Sequence, residues 1–283
     1  MWRSMLFIPV LEERFVAKAA ERGADAIILD LEASIADARK AEARAALPDV
    51  VARLAPKVDV TVRINPLWLN AIRDLEACVI EGVSTLHLAL CESAEHVAAI
   101  DGILSELEAV RGLPLGGIKL IAMLESPGAV QRAESIARAS PRMAGLTLGV
   151  EDYATAMGAT ASDTLLRPAG AQVIQAARAA GVEPFVVPSS MADFRDVEAL
   201  AGAANHARQM GSSGGYAVHP TQVAMLNQVF SATEAEIYWA TCVLEAAAKA
   251  SEAGQGIFQV NGQMIDLPLV TRAERIMRQN ASK

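Results

Sequence analysis

The chain is short of the residues that mark several classes of protein. Its three cysteines, Cys78, Cys91 and Cys242, are an odd number, widely separated, with no C-x-x-C pair. Neither a disulfide framework nor a zinc knuckle is therefore expected, and a reducing cytoplasm is the default compartment. Basic residues are outnumbered, 25 Lys and Arg against 33 Asp and Glu, for a formal charge of −8. That balance argues against nucleic acid or an acidic membrane surface as partner, and an anionic ligand would need a local cationic pocket. No uninterrupted apolar stretch reaches membrane-spanning length, and in "MWRSMLFIPVLEERF" charges follow too soon after the apolar segment for a secretory signal to be expected. No G-x-G-x-x-G follows the first apolar run, so the dinucleotide-binding fingerprint is missing.

What is present is a large apolar fraction, 52% of 283 residues, enough for a sizeable core. Eight short runs rich in branched residues alternate with longer Ala-rich segments of helical spacing. The runs cover residues 4–10, 26–32, 60–65, 85–90, 118–124, 146–150, 184–188 and 216–220. Helix candidates include residues 12–22, 36–47, 94–110, 129–139, 163–180 and 192–210, several closed by Gly or Pro. Strand then helix, eight times over, predicts an α/β fold, a (β/α)8 TIM barrel. An open doubly wound sheet is the competing architecture. It is disfavoured because polar residues stand at the ends of most runs and not at one crevice: Asp30 and Glu32, Arg63 and Asn65, Glu92, Glu125, Glu151 and Asp152, Ser189 and Ser190, and His219.

The segment "LTLGVEDYATAMG" begins as a buried run and ends in two adjacent acids, Glu151 and Asp152, and Glu125 ends the preceding run in the same way. Neighbouring parallel strands lie about 4.8 Å apart, so carboxylates at adjacent strand ends can share a cation. Glu125 and Asp152 make an oxygen-only pair of the kind Mg²⁺ favours, and no His or Cys accompanies them to suggest zinc. The alternative is that either acid caps the helix that follows. Arg63, ending "VTVRIN", offers a fork of donors to a carboxylate or a developing oxyanion; its structural alternative is a salt bridge to Glu32 or Glu125.

Seven segments, "RSMLFIPV", "ADAIILDLE" with the later "KAEAR", "VRIN", "IAMLES", "LGVEDYA", "AVHPTQV" and "NGQMIDLP", stand in the order seen in the HpcH/HpaI aldolase and citrate lyase superfamily. From Arg3 to about Met277 the chain resembles that superfamily's citrate lyase β-subunit-like branch, which includes malyl-CoA and citramalyl-CoA lyases. The resemblance implies a Mg²⁺-dependent carbon–carbon lyase on a (β/α)8 barrel, acting on short acids carried as CoA thioesters, as a homo-oligomer, trimer or hexamer. It implies that Arg63 contacts substrate and that Glu125 and Asp152 hold the metal, with Glu125 also beside the substrate. The amides around Glu151 and Asp152 match those that hold the substrate carboxylate. Asp266 resembles an aspartate that reaches a neighbouring subunit's site as acid or base; by position alone it also fits the N-cap of the last helix. The chemistry would be a retro-Claisen or retro-aldol cleavage, with Arg63 stabilising the alkoxide and Asp266 handling the enolate proton. A free 2-keto acid aldolase, or a citrate lyase subunit or silent paralogue without turnover of its own, are the other readings.

Residues 257–265, "IFQVNGQMI", place Asn261-Gly262 between two short apolar segments, a strong hairpin signal. The expected organisation is a barrel over residues 1–254 and a C-terminal extension over 255–283, packing on its own or a neighbouring subunit. Three departures from the superfamily pattern stand out: Ala33 replaces a second acid, Ala89-Leu90 stands where P-K is common, and Gly214-Gly215 stands where G-K is common. The Gly-rich "MGSSGGY" lacks Walker spacing and reads as a strand lead-in. His87 and His96 read as structural, His219 as facing the site or packed, and Arg14, Lys18 and Lys40 as a cationic patch for CoA phosphates or a solvated helix face.

Overall fold

The computed structural model describes residues 2–192 and 195–281. Eight parallel strands form one sheet: β1 (Ser4–Pro9), β2 (Ala26–Asp30), β3 (Asp59–Ile64), β4 (Val83–Leu88), β5 (Lys119–Leu124), β6 (Met143–Leu148), β7 (Glu183–Pro184) and β8 (Gly215–Ala217). Their order, β7-β6-β5-β4-β3-β2-β1-β8, pairs consecutive strands from β1 to β7 and returns β8 to β1, the winding of a (β/α)8 TIM barrel. Helices cover the outer face, so the strands are buried on both sides, and β2 is buried at all five positions. That is why most of the runs read as largely apolar instead of alternating.

Inside the barrel Met5, Ala26, Ile28, Ile121, Phe185 and Tyr216 pack together. One polar layer interrupts them. His87 Nδ1 lies 3.0 Å from the Tyr216 hydroxyl and Nε2 lies 2.9 Å from Thr61 Oγ1, and burial lowers its pKa to about 3. A histidine held neutral between two hydroxyls is a structural element of the core.

β7 and β8 are shorter than the apolar runs at 184–188 and 216–220 suggest. Pro184 and Pro188 have no N–H to donate, so the ladder cannot extend through them. Serines bridge the gap. Ser213 N donates to Pro184 O at 2.8 Å, and Ser212 Oγ accepts from Val186 N at 3.0 Å and donates to Pro184 O at 3.1 Å. The S212A variant strands a buried amide, so we expect a stability loss of about 1–2 kcal/mol, read from the denaturant midpoint at unchanged slope. Gly215 is packed so closely that a β-carbon there would meet Val187 Cγ2 at 2.7 Å. The lysine common at this place in the superfamily has no room without displacement of Val187.

Residues from Phe230 on form a second compact unit. It contains the helix Glu234–Glu252, opened by a Thr233/Glu236 capping box, a hairpin of Phe258–Val260 with Gln263–Ile265, and the helix Leu267–Ala281. Asn261 at φ 50° and Gly262 at φ 79° make the two-residue turn expected of Asn-Gly. Ile265 turns inward against Ala240, Val243, Ala273 and Ile276.

Candidate functional site

The C-terminal ends of β2 to β6 carry a carboxylate-rich face. Asp30 and Arg63 are ladder partners on β2 and β3, so their side chains leave adjacent strands at the same level. The guanidinium grips Asp30 with Nε and Nη2, both at 2.8 Å, and Nη1 lies 3.1 Å from Glu32 Oε2. It also stacks over Phe7, 4.7 Å from the ring centroid. Of the two salt-bridge partners considered from sequence, Glu32 is engaged and Glu125 is not; the main partner is Asp30. Nη1 and Nη2 each keep a donor for another acceptor. Burial pushes the Asp30 carboxyl up, but Arg63, then Ser34 and the amide of Glu32, outweigh it and hold the pKa below the usual carboxylate range.

Glu125 follows β5 directly and is 4% exposed. Its Oε2 accepts from Leu90 N at 3.0 Å. Leu90, in turn, holds a left-handed backbone, φ 46°, two residues beyond β4. Burial first, and the charge of Asp152 second, raise the Glu125 pKa to about 8, against smaller opposing effects from Leu90 N and Arg63. Leu124 and Leu148 are ladder partners, so Gly149 lies beside Glu125. A β-carbon on residue 149 would stand 2.5 Å from Glu125 Oε1, so glycine makes the space this carboxylate occupies.

Glu151 and Asp152 lie in the first turn of the helix Val150–Ala156, whose N-cap is Gly149 with no side-chain bond, so neither acid caps it. Ser190 Oγ donates to Glu151 Oε1, tying the β6 rim to the loop after β7. Asp152 is exposed, and among the described residues its carboxylate makes no hydrogen bond. Among the same residues no group of three or more His, Cys, Asp and Glu is placed to hold a metal, so a cation here would draw on two carboxylates.

Other sequence candidates fall outside the cluster. Glu92 pairs with Arg132 at 3.1 Å and accepts from Ser126 Oγ at 2.9 Å. Lys40 is buried and gives its ammonium to the carbonyls of Leu31 at 3.0 Å and Glu32 at 2.9 Å, so it shapes the β2 loop and leaves the proposed phosphate patch. Arg14 leans on Glu12 at 3.5 Å, and His219 Nδ1 sits 2.8 Å from Thr221 Oγ1. Burial pushes the Cys91 thiol up to about 12, which removes it as a nucleophile. In the second unit, the Asp266 carbonyl accepts from Leu269 N and Val270 N at 3.1 Å, while its carboxylate has no partner among the described residues, so the N-cap side-chain bond is not made. Leu90 and Gly149 carry no sequence signal for the site beyond Leu90 standing where a lysine is common.

Fold and face together give a barrel with carboxylates and one arginine gathered at the ends of its strands, the face on which barrel enzymes carry their active sites. Residues 3–220 match the HpcH/HpaI aldolase/citrate lyase family, and the chain belongs to it, which makes it a carbon–carbon lyase. The citrate lyase subunit beta of Haemophilus influenzae is 32% identical over 284 residues, covering 99% of this chain and 97% of that one. The L-malyl-CoA/beta-methylmalyl-CoA lyase of Rhodobacter capsulatus is 30% identical over 305 residues, covering 98% and 94%. Among solved structures, the protein CitE of Mycobacterium tuberculosis in complex with magnesium, acetoacetate and coenzyme A superposes with a TM-score of 0.74 at 29% identity, covering 98% of this chain and 97% of that one. Among the described residues no helix is long and apolar enough to cross a membrane.

Proposed function

We propose that the chain is a Mg²⁺-dependent lyase that cleaves a short 3-hydroxyacyl-CoA thioester, of the malyl-, citramalyl- or citryl-CoA kind, into an acyl-CoA and a keto acid. The observation that carries this reading is Glu125: a carboxyl nearly shut off from water, raised to about 8, beside a second acid with no partner of its own. Two oxygen donors without His or Cys suit a hard divalent cation that keeps water or substrate in its other positions. Glu125 and Asp152 would hold it, and when bound it supplies Lewis acidity toward the oxygens of a chelating hydroxy or keto acid.

The chain's own groups then divide the work. Arg63, fixed by Asp30 and Glu32, turns its remaining donors to the oxygen that gains charge as the carbon–carbon bond breaks. The free first-turn amides of Glu151 and Asp152 receive the substrate carboxylate. Asp266, from a neighbouring copy in a homotrimer or hexamer, gives the thioester enolate its proton and removes it in the reverse direction. Three free thiols support a reducing, cytoplasmic setting.

The G149A variant should push the Glu125 carboxylate aside while the barrel folds. Mg²⁺ binding is expected to weaken by about 10–100-fold, measured by calorimetry beside a thermal melt that stays within a few degrees of wild type. The reading itself is tested by assaying the purified chain alone with malyl-, citramalyl- and citryl-CoA plus Mg²⁺. Cleavage of a CoA ester supports it, and cleavage of free keto acids only would replace it with an aldolase. The similarity to citrate lyase β subunits favours one second reading, a subunit that binds but does not turn over alone.

A further inference from the structure

Leu90 joins two features rarely found together. It is one of two non-glycine residues with positive φ among the described residues, and it is a large apolar side chain, 39% exposed, on the carboxylate face. The other, Asn261, sits in a hairpin turn that calls for it. Leucine strongly disfavours this conformation. It is held by two hydrogen bonds donated by backbone amides, Leu90 N to the Glu125 carboxylate Oε2 and Cys91 N to Met123 O, both 3.0 Å. The pinned backbone sets residue 90 directly against the Glu125 carboxylate.

The charge inventory around it is one-sided. In the strand-end segments 30–40, 63–70, 88–96, 124–132 and 148–158 there are eight carboxylates against four Lys and Arg side chains. All four cations are already engaged: Arg39 with Glu42, Lys40 with two carbonyls, Arg63 with Asp30 and Glu32, and Arg132 with Glu92. Half-buried His96 is held toward its neutral form and lies against Trp68, ring centroids 5.2 Å apart. Leu67, Trp68 and Leu69, at the end of β3, add further exposed apolar surface to the rim. A carboxylate brought in beside Leu90 would meet surplus negative charge and a hydrocarbon wall; Arg63's remaining donors go to the reacting oxygen, and among the described residues of these segments every other Lys and Arg is already engaged.

Resting on the lyase reading above, we propose that Leu90 sets substrate specificity: the substituent on the carbinol carbon is hydrogen or a small alkyl group, and a carboxymethyl group is rejected. The keto acid product then carries a single carboxylate. The test is direct binding of 2-keto acids to the full chain in the presence of Mg²⁺, by calorimetry, with glyoxylate, pyruvate and oxaloacetate as hydrogen, methyl and carboxymethyl probes. Pyruvate is expected to bind at least about tenfold tighter than oxaloacetate. L90K should shift the ratio by about tenfold or more toward oxaloacetate, and L90G, which relaxes the backbone and removes the side chain, should shrink the preference for pyruvate. Equal or tighter oxaloacetate binding by wild type, an unchanged ratio in both variants, or no Mg²⁺-dependent uptake of any keto acid would overturn the assignment. Loss of CoA-ester turnover with the keto-acid preference intact would count against the lyase reading alone; turnover with the preference reversed would count against Leu90 alone.

Discussion

Replacing Glu125 by glutamine should abolish turnover and, in the metal-free protein, raise stability at neutral and alkaline pH. The two effects have one cause. The glutamate is 4% exposed and its pKa is raised to about 8 from 4.5, so the fold prefers it protonated. For an acid shifted upward, the linked stability is complete below the unfolded value of 4.5 and is lost as pH rises toward 8, flattening above it. Over that interval wild type should lose stability at about 1.4 kcal/mol per pH unit from this group. Glutamine has no charge to bury and escapes the slope. Melting temperatures of the two proteins in EDTA from pH 5 to 9 should therefore diverge, with the variant higher at the alkaline end. Activity should fall by about 10³-fold or more, the scale of losing a principal electrostatic contributor. Parallel melting profiles would remove burial as the cause of the shift.

Arg63→Ala carries the second large effect, and here both activity and stability fall. Asp30 is 2% exposed, and its charge is balanced by the Arg63 fork and the amides of Glu32 and Ser34. Taking the guanidinium away leaves a buried carboxylate with two amide donors, a loss of about 3–5 kcal/mol. The pH response separates this from simple cavity formation. Asp30 is held low in the folded state, so its contribution is present above pH 3.8 and disappears as pH falls through the lower folded value. Wild type should show that acid-side loss and R63A should not. R63K keeps the charge but not three contacts from one planar group, so it should fold better than R63A and still lose about 10²–10³ in kcat. Urea midpoints at pH 3 to 7 for the three proteins check the stability side, and steady-state rates at saturating substrate check the catalytic side.

The barrel was legible because its first six strands are largely buried on both faces, which writes them as short, mostly apolar runs. The hairpin was legible because a two-residue turn is a local rule, met by Asn261 and Gly262. The last two strands were legible in place but not in length, since Pro184 and Pro188 end the ladder early and Ser212 and Ser213 complete it from outside the strands. The helix Trp68–Cys78 carries no side-chain cap at Leu67, so the usual start signal is missing. At the site, Glu125, Asp152 and Arg63 could be picked out as residue types at strand ends. Their partners could not, because partnership depends on register. Asp30 meets Arg63 because the two are opposite in the ladder, and Gly149 gives space to Glu125 because Leu124 and Leu148 are. Lys40 reads as a free cation until the loop after β2 brings two carbonyls to its ammonium.

Calorimetric titration of Mg²⁺ into the keto-acid-bound protein at pH 7, repeated in two buffers of different ionisation heat, counts the protons released on binding. A carboxyl near pKa 8 that becomes a metal ligand must give up its proton, so wild type should release about one per ion bound and E125Q should bind weakly and release none. Tight binding by E125Q, or uptake by wild type without proton release, would mean the cation sits elsewhere and the buried glutamate does not hold it.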